Sequence, residues 1–452
     1  MPLAVALLAL SAVADRAAAL DEVVFAGRGY GHGAGMSQWG AYGMARRGAG
    51  HVAILRHFYR GAVLRTSPRA AGSIRVLLAD GRSSVPLVAG AGHVLLGADG
   101  RRVPLAYGRV HTITPAGPGR LRVRLSGPGV VVEAPARVVV DAAAARREPV
   151  RFAGRPYRGV LSIERSGAGI RVLNRVAVEE YLRGVVAAEV PASWPAETLN
   201  AQAIAARTVA VRSLNGTAAF DVYADVRSQA YLGVAAEHGA TSAAVAATRG
   251  QILEYGGEPI LALYHSSSGG RTAAAEDALE GLGPYPYLRS VPDPGDVFSP
   301  LHRWTERRPA RRVAAALGFR GSLSSLLVSV HGGRVREVEA VGAGATTRVT
   351  GPALRFALEL PSAAFRVVAI RAGVDRAGRL RGRALSGSGS VRRVVLQRVD
   401  ASGLWRPAGR LAVRAGGAFS GRVSPRPARI RVIVDGVAGS PIPVPGGRTV
   451  SR

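Results

Sequence analysis

The sequence predicts an α+β protein of two or three domains, and three observations support this prediction. Short runs in which apolar and polar residues alternate, typical of strands, recur through residues 72–175 and again from about 369 to 446. Residues 176–368 mix such runs with apolar residues at helical spacing. The chain has 452 residues, 48% of them hydrophobic, which is enough for more than one core.

The composition changes along the chain and predicts its organisation. Residues 1–20 have the pattern of a secretory signal, and residues 21–66 hold a Gly-rich stretch followed by a helical pattern. Residues 72–175 form the β-rich part, and residues 176–368 combine helices and strands. From 369 to 452 the strand pattern with Gly and Pro predicts a small C-terminal β-sandwich of immunoglobulin-like type.

The first residues predict export. Residues 4–14 are apolar except for Ser11, and Ala12-Val13-Ala14 supplies the small residues that precede a signal cleavage site. The segment before them carries no Arg or Lys, which is unusual for a signal. We expect the protein outside the cell or in the cell wall, anchored to the membrane if the signal is retained.

Charge and cysteine content limit the classes of function. The net charge is +30, from 60 basic and 30 acidic residues, and a charge of this size attracts polyanions. The basic residues are spread along the chain without a zinc-finger spacing or a recognition-helix pattern, so we expect anionic wall polymers rather than nucleic acid as partners. The chain has no cysteine, which excludes disulfides, thiolate nucleophiles and cysteine zinc sites.

A helix, a tight turn and a second helix are predicted in the middle of the chain. The first helix covers residues 177–189, where apolar residues repeat at helical spacing. Pro191 ends it, because the residue before a proline is disfavoured in the α conformation. The second helix covers 196–213, with Ser193 in position to cap it and Pro195 tolerated in its first turn.

Glu189 is the candidate acid from the residues alone. It lies at the C-terminal end of the first helix, where the helix dipole disfavours a carboxylate, and its neighbours are apolar. A carboxyl that stays protonated near neutral pH is suited to be a general acid. The alternative is an ordinary surface glutamate. Glu179 and Glu180 lie in the first turn, where the dipole favours ionisation, and are interpreted as helix-stabilising surface charges.

Five segments of the chain resemble the SpoIID/LytB (stage II sporulation protein D) family. They include the run from Glu180 to Pro195 with its Ala-Glu-Val-Pro core and the Gly-rich run with Gly-His-Gly-Ala-Gly-Met-Ser-Gln-Trp-Gly. The segments cover residues 180–195, 199–208, 264–272, 286–293 and 29–43. Together they implicate residues from about 25 to 368, and the resemblance implies a SpoIID-type domain.

The resemblance implies a lytic transglycosylase that cleaves peptidoglycan glycan strands, particularly strands stripped of their peptides, in cell-wall remodelling or sporulation. Glu189 corresponds to the catalytic acid of the family. One carboxyl suffices for this chemistry, and no second carboxyl in a comparably apolar setting lies beside Glu189 in the sequence. No cofactor is implied. The alternatives are a non-catalytic glycan-binding enhancer of an N-acetylmuramoyl-L-alanine amidase and, further, a general polyanion-binding protein.

Six further residues in these segments are candidate substrate ligands. Gln202 and Arg207 are polar groups on an alanine-rich helix, and are either exposed side chains or ligands for sugar hydroxyls and carboxylates. His265 and Ser266 follow a predicted buried strand at 259–264. The adjacent pair Gly269 and Gly270 would let a glycan approach the backbone closely.

The Gly-rich segment matches neither a Walker loop nor a dinucleotide-binding motif. It is interpreted either as a tight structural turn or as a sugar-binding wall, with Trp39 stacked on a sugar ring. The wall would consist of His32, Ser37, Gln38 and Trp39. The spacing of His32, His51 and His57 fits no metal motif, so no metal site is predicted.

The order of the segments departs from the family. The Gly-rich segment opens this chain, whereas in the family order it follows a Leu-Pro-Ser segment that corresponds here to residues 360–362. The domain is therefore predicted to be circularly permuted. If so, residues near 25–45 should lie beside residues near 360–368.

Overall fold

A computed structural model describes residues 21–125, 129–140, 149–214, 216–319, 323–342, 345–424 and 427–447. The chain forms two compact units: a central unit, residues 30–302, and a terminal unit that combines residues up to 29 with residues from 303 onward. Helices and strands are mixed, which confirms the α+β prediction. The predicted signal at residues 1–20 lies outside the described residues.

In the described part of the chain, every helix is too short or too polar to cross a membrane.

Strand β1 (Glu22–Gly27) belongs to the terminal unit, and the central unit follows it in the sequence. The helices of the central unit are α1 (Gln38–Ala45), α2 (His51–Phe58), α3 (Val178–Glu189), α4 (Ala196–Ser213), α5 (Gly239–Ala247) and α6 (Ala275–Ala278). Its strands are β2 (Met36–Ser37), β3 (Val63–Thr66), β4 (Ser73–Arg82), β5 (Val85–Val88), β6 (His93–Leu96), β7 (Arg102–Pro104), β8 (Val110–Pro115), β9 (Arg120–Arg124), β10 (Val130–Glu133), β11 (Ala136–Val140), β12 (Val150–Phe152), β13 (Arg155–Tyr157), β14 (Val160–Ser166), β15 (Gly169–Ala177), β16 (Val222–Tyr223), β17 (Gln251–Tyr255), β18 (Glu258–Pro259) and β19 (Tyr264–His265).

Two larger sheets form the β-rich part of the central unit. One has the order β16-β4-β15-β14-β11-β6-β7 and the other β10-β9-β8-β5-β12-β13. Alternate residues of their strands, such as Ile74 and Val76 of β4 and Leu121 and Val123 of β9, point into one shared core. Helix α3 follows β15 directly and packs its apolar stripe on the same core, which fixes the helix that carries Glu189.

Helix α4 is rich in alanine because two cores cover it. Ala203 and Ala206 face the core of the large sheets, whereas Ala201 and Ala205 face a second core with α1, α2 and β17. Small side chains let the helix approach both neighbours closely. Both predicted helices are present, at 178–189 and 196–213.

Two local predictions were wrong. Ser193 does not cap α4, because Pro195 occupies the N-cap position and no side chain bonds to the helix start. Residues 259–264 do not form one strand: Glu258–Pro259 ends a hairpin with β17, and Tyr264–His265 pairs in parallel with Met36–Ser37 of β2. The chain between the two pairings crosses from one small sheet to another.

The terminal unit consists mainly of antiparallel strands. Its later strands are β20 (Trp304–Pro309), β21 (Leu323–His331), β22 (Arg334–Gly342), β23 (Ala345–Thr350), β24 (Phe365–Val374), β25 (Arg379–Ser386), β26 (Val394–Val399), β27 (Trp405–Leu411), β28 (Ala418–Arg422), β29 (Arg429–Val434), β30 (Val437–Ala438) and β31 (Ile442–Pro443). Its helices are α7 (Ala310–Ala316) and α8 (Gly351–Leu358).

Two sheets of the terminal unit pack against one core. The first has the order β20-β1-β24-β25-β28, and the second joins β27, β26, β29 and β30, with β31 paired to β29. Val24 and Val368 of the first sheet contact the same core as Val432 of the second. An immunoglobulin-like sandwich over 369–452 is not confirmed, because β1 and β20 belong to the first sheet and residue 369 lies inside β24.

The start of the chain lies beside the 360–368 segment. Strand β1 pairs with β24, with Gly27 opposite Phe365. Arg28 N–H donates to the Ala364 carbonyl at 3.0 Å, and the Ser362 hydroxyl donates to the Arg28 carbonyl at 2.7 Å. Of the residues near 25–45 that were expected beside this segment, Gly27 and Arg28 contact it, whereas the circular permutation itself stays a prediction.

Candidate active site

Glu189 is the last residue of α3 and is half-buried. The Val190 N–H closes the helix on the Val186 carbonyl, so Glu189 lies among the unpaired carbonyls of the helix end. Val185, Val186 and Val190 are buried around it. Glu189 therefore lies at the boundary between an apolar core and the surface of the protein.

The donors that face the carboxyl of Glu189 are neutral. Ala230 N–H donates to Oε1 at 3.0 Å, and the Tyr264 hydroxyl donates to the carboxyl as well. Burial raises the pKa of Glu189, and the bonds from Ala230, Tyr264 and Gln38 partly offset this rise. The carboxyl thus keeps its proton to a higher pH than an exposed glutamate, as a general acid requires.

A chain of hydrogen bonds behind Glu189 orients Tyr264. The Tyr181 hydroxyl donates to Gln229 Oε1 at 3.2 Å, and Gln229 Nε2 donates to the Tyr264 hydroxyl oxygen at 3.0 Å. Because this oxygen accepts from Gln229, its own hydrogen is directed to Glu189. Burial raises the pKa of Tyr264 far above its ordinary value, so the hydroxyl remains a donor at any working pH.

Gln38 links the Gly-rich segment to the acid. Its Nε2 lies 3.4 Å from the Glu189 carbonyl and 3.4 Å from Gln202 Oε1. Gln38 and Gln202 are both buried, and Gln202 Nε2 has no hydrogen-bond partner among the described groups. The structure therefore places Gln38 in contact with both Gln202 and the backbone of Glu189, and the role of the two amides as substrate ligands stays a prediction.

Ser37 and two buried aspartates anchor the start of α1. The Ser37 hydroxyl accepts from Gly40 N–H at 3.0 Å as the N-cap and donates to Asp296 Oδ1 at 3.3 Å. Asp293 approaches Gly40 so closely that a Cβ there would clash with its carboxylate. The Ser268 hydroxyl donates to Asp293 Oδ2 at 2.7 Å, and burial raises the pKa of Asp293 to about 6.

Ser37, His32 and His265 are not arranged as sugar ligands. Ser37 is fully buried as a helix cap. His32 Nε2 donates to the Tyr264 carbonyl at 3.0 Å and its Nδ1 accepts from Ala34 N–H, whereas His265 Nδ1 donates to the Ala34 carbonyl at 3.1 Å. These bonds join the Gly-rich segment to β19, which fits the interpretation of that segment as a structural turn.

Arg207 is a structural residue, contrary to its interpretation as a sugar ligand. Its side chain is fully buried, and Nε and Nη2 donate to the two carboxylate oxygens of Glu179, each at 2.9 Å. Its other bonds go to Thr248 and to the carbonyls of Val245 and Gln251. The prediction that Glu179 is a surface charge was wrong, because Glu179 is buried and forms an ion pair with this guanidinium.

The turn at Gly269 and Gly270 contacts the carboxylate of Asp296. Both residues have a positive φ, and Gly269 N–H donates to Asp296 Oδ2 at 2.8 Å. His302 Nδ1 contacts the same oxygen at 2.8 Å. Ser266 is half-buried, and its carbonyl accepts from Trp39 N–H at 3.0 Å. Trp39 is half-buried with its ring against Trp194, at 4.8 Å between centroids.

Sequence reasoning missed several residues that shape the site. Tyr264 and Asp293 lie inside the motif segments but carry no pattern that reveals their contacts. Gln229 and Ala230 lie outside those segments and reach Glu189 only through the tertiary fold. Trp194 follows Glu189 by five residues, and this short distance in the sequence was the available signal.

Among the residues that the structure describes, no group of three or more His, Cys, Asp or Glu side chains is placed to hold a metal ion.

The chain is similar to known proteins over the segment that carries the site. Residues 166–255, which contain Glu189, match the family model described as SpoIID, Stage II sporulation protein. Stage II sporulation protein D of Bacillus subtilis (strain 168) is 34% identical over 177 residues, which are 35% of this chain and 51% of that protein. The same protein of Bacillus amyloliquefaciens is 35% identical over 147 residues, 29% of this chain and 42% of the relative.

A relative of different name matches the chain as well. The amidase enhancer of Bacillus subtilis (strain 168) is 36% identical over 128 residues, 27% of this chain and 16% of the relative. The chain spans about half the length, or less, of these curated relatives. Residues 166–255, which contain Glu189, match a SpoIID domain, and these matches support the resemblance of the chain to the SpoIID/LytB family.

Proposed function

We propose that the chain is a peptidoglycan lytic transglycosylase with a role in the cell wall, and that Glu189 is its acid. The observation that carries the proposal is the setting of Glu189: a half-buried residue whose carboxyl has a raised pKa and accepts hydrogen bonds from neutral donors. The relatives named for sporulation and for amidase enhancement support a role in the cell wall.

The reaction needs one group that first donates and then accepts a proton. Glu189 donates its proton to the oxygen that links N-acetylmuramic acid to N-acetylglucosamine, and the bond from this oxygen to C1 of the muramic sugar breaks. The C6 hydroxyl of the same sugar then forms a bond to C1 and gives its proton to the Glu189 carboxylate. A 1,6-anhydro end forms, no water is consumed, and the acid is regenerated.

The neighbours of Glu189 suit both halves of this cycle. Desolvation favours the protonated carboxyl before cleavage. After proton transfer, the Ala230 N–H and the Tyr264 hydroxyl stabilise the carboxylate that forms. A carboxylate held by a permanent cation would instead be too weak a base and would not hold a proton near neutral pH.

A second candidate is a glycan-binding amidase enhancer without catalysis. The observation that favours it is the 36% identity to a protein named for that role. In that case Glu189 would bind glycan without transferring a proton, and the partner would be a cell-wall amidase. The two candidates differ in the products that the purified protein forms by itself.

Mass spectrometry of glycan strands distinguishes the candidates. Strands with and without prior amidase treatment are incubated with the wild type and with Glu189→Gln. We expect 1,6-anhydro ends from amidase-treated strands with the wild type alone. Reducing ends would indicate a hydrolase and overturn the proposed reaction. Uncleaved strands, bound equally by both proteins, would favour the enhancer.

A further inference from the structure

Four aromatic side chains next to the acid form a partly exposed surface, here called the aromatic platform: Trp39, Tyr42, Trp194 and Phe298. The rings of Trp39, Tyr42 and Trp194 lie 4.8–5.3 Å apart in a triangle, and Phe298 lies 5.8 Å from Tyr42. Phe298 is 45% exposed and the other three are half-buried. None of the four therefore belongs to a closed core.

The sequence of α1 dictates which side chains face outward. Gln38, Gly40, Ala41 and Gly43 are buried on one side, and a Cβ on Gly43 would clash with the backbone of Gly295. Trp39 and Tyr42, three residues apart, occupy the other side. The close approach at the glycines brings the segment Pro294–Phe298 against α1, which places Phe298 at the end of the platform.

The platform begins at the candidate acid. Gln38, the residue before Trp39, lies 3.4 Å from the Glu189 carbonyl through its Nε2. Trp194 follows Glu189 across the tight turn in which Trp194 N–H donates to the Pro191 carbonyl. The rings of Trp39 and Trp194 therefore belong to the two segments that adjoin the end of α3 where Glu189 lies.

Two arginines extend the platform with positive charge. The Arg46 guanidinium lies 5.9 Å from the Tyr42 ring centre, and its Nη1 donates to the Tyr42 hydroxyl at 3.1 Å. The Arg47 guanidinium lies 5.7 Å from the ring centre of Phe298. Both side chains are exposed, and within the described ranges neither is paired with a carboxylate. Such a pair can bind an external anion without first breaking an ion pair.

We propose that the platform is a saccharide subsite that selects acidic glycans, with Arg46 and Arg47 as its specificity-determining residues. The inference rests on the proposed function for the identity of the ligand as a glycan. Aromatic faces suit the apolar C–H faces of sugar rings, and a guanidinium binds a carboxylate through two parallel hydrogen bonds. In a peptide-free strand the lactyl group of muramic acid is a free carboxylate, whereas in an intact strand it is a neutral amide.

Binding is measured by calorimetry in the full chain that carries Glu189→Gln, so that no ligand is consumed. The probes are peptide-free peptidoglycan oligosaccharides and neutral chito-oligosaccharides of equal length. We expect Arg46→Ala together with Arg47→Ala to weaken binding of the acidic glycan about ten- to a hundredfold and to leave the neutral one unchanged. Trp194→Ala should weaken binding of both probes.

A matched control removes two charges elsewhere. Arg376 and Arg381 are exposed in the terminal unit, and their double replacement by alanine should change neither affinity. An equal loss in this control, or an equal loss for both probes in the Arg46/Arg47 variant, would overturn the proposal. So would an unchanged preference for the acidic glycan in that variant, once circular dichroism has verified the fold.

This experiment separates the subsite from the reaction. If the wild type cleaves no glycan but the Glu189→Gln protein shows the expected selectivity, the proposed reaction fails and the subsite stands. If the wild type forms anhydro ends while the arginines do not affect selectivity, the subsite alone fails.

Discussion

The two ends of helix α3 hold glutamates in opposite environments. Glu179 in the first turn is buried against the guanidinium of Arg207, with both carboxylate oxygens at 2.9 Å from its nitrogens. Glu189 at the last residue is half-buried and faced by the Ala230 N–H and the hydroxyl of Tyr264. The two glutamates of this helix therefore differ in role: Glu179 forms an ion pair with a cation, whereas Glu189 accepts hydrogen bonds from neutral donors.

The helix dipole reinforces this difference. The positive end of the dipole lies at Glu179, whereas the negative end lies at Glu189 and favours the protonated form of its carboxyl. An ion pair such as Glu179–Arg207 stabilises the structure only while both members are present. A carboxyl without a cation costs folding free energy when it ionises but remains able to exchange a proton.

Glu189→Gln should have the largest effect on activity and almost none on folding. Loss of the proton donor is expected to lower the cleavage rate about 10²- to 10⁴-fold. The raised pKa of Glu189 means that ionisation costs stability as pH rises through that pKa. The glutamine variant should thus be no less stable than the wild type at pH 7, as measured by urea unfolding. A Glu189→Gln variant that stays active, or that unfolds at a much lower urea concentration, would contradict the contrast between a catalytic Glu189 and a structural Glu179.

Arg207→Ala should act on folding rather than on glycan recognition. It leaves the Glu179 carboxylate buried without its cation, which costs about 3–5 kcal/mol of unfolding free energy. Arg212→Ala on the exposed side of the same helix is the control and should cost about 1 kcal/mol or less. Urea unfolding measures both. A folded Arg207→Ala variant of normal stability that no longer binds glycan would restore the interpretation as a sugar ligand.

Asp293→Asn should change how stability depends on pH. The pKa of Asp293 is about 6 in the folded protein and about 3.8 in an exposed aspartate, so its favourable contribution is complete below pH 4. This contribution is lost as pH rises towards and beyond 6, by about 3 kcal/mol. The asparagine variant lacks this loss. Its unfolding free energy, relative to that of the wild type, should therefore increase between pH 4 and 7. Parallel curves for the two proteins would show that Asp293 is not a source of the pH dependence.

Tyr264→Phe should have the smallest effect on the cleavage rate, but its effect on the pH dependence of that rate reports on Glu189. The variant lacks the hydroxyl that lowers the pKa of Glu189, so the pKa should rise further. The high-pH limb of the cleavage rate should therefore move to higher pH, with a rate loss of about two- to tenfold at the optimum. Tyr287→Phe, which removes a hydroxyl that accepts from Leu261 N–H, is the control and should leave the limb in place. If the high-pH fall of the cleavage rate stays at the same pH in Tyr264→Phe, the Tyr264 hydroxyl does not influence the pKa of the acid.

Local sequence patterns predicted the helices and the acid but not the partners of the polar residues. The apolar spacing of α3 and α4 is a property of neighbouring residues, so both helices could be placed from the sequence. The role of Arg207 depends on Glu179, 28 residues earlier in the chain, and on the fold that joins them. The alanines around Arg207 indicated an exposed or ligand-binding helix, although they reflect burial between two cores.

The terminal unit illustrates the same limit for strands. Alternation predicted strands between about 369 and 446, and Arg429–Val434 is one of them. It could not predict that Glu22–Gly27 pairs with β24, more than 300 residues later, because alternation carries no information on partners. Trp39 was found because an aromatic residue in a Gly-rich segment is conspicuous, whereas Phe298 becomes part of the platform only through packing of Gly43 on Gly295.

The most direct test of the account is a titration of the Glu189 carboxyl. The protein is labelled with ¹³C at glutamate carboxyl carbons, and the Glu189 signal is assigned by its absence in Glu189→Gln. We predict a midpoint clearly above the ordinary glutamate value of about 4.3, and a higher one in Tyr264→Phe. A midpoint at or below the ordinary value would mean that Glu189 is ionised when the substrate arrives, which would contradict its role as the acid.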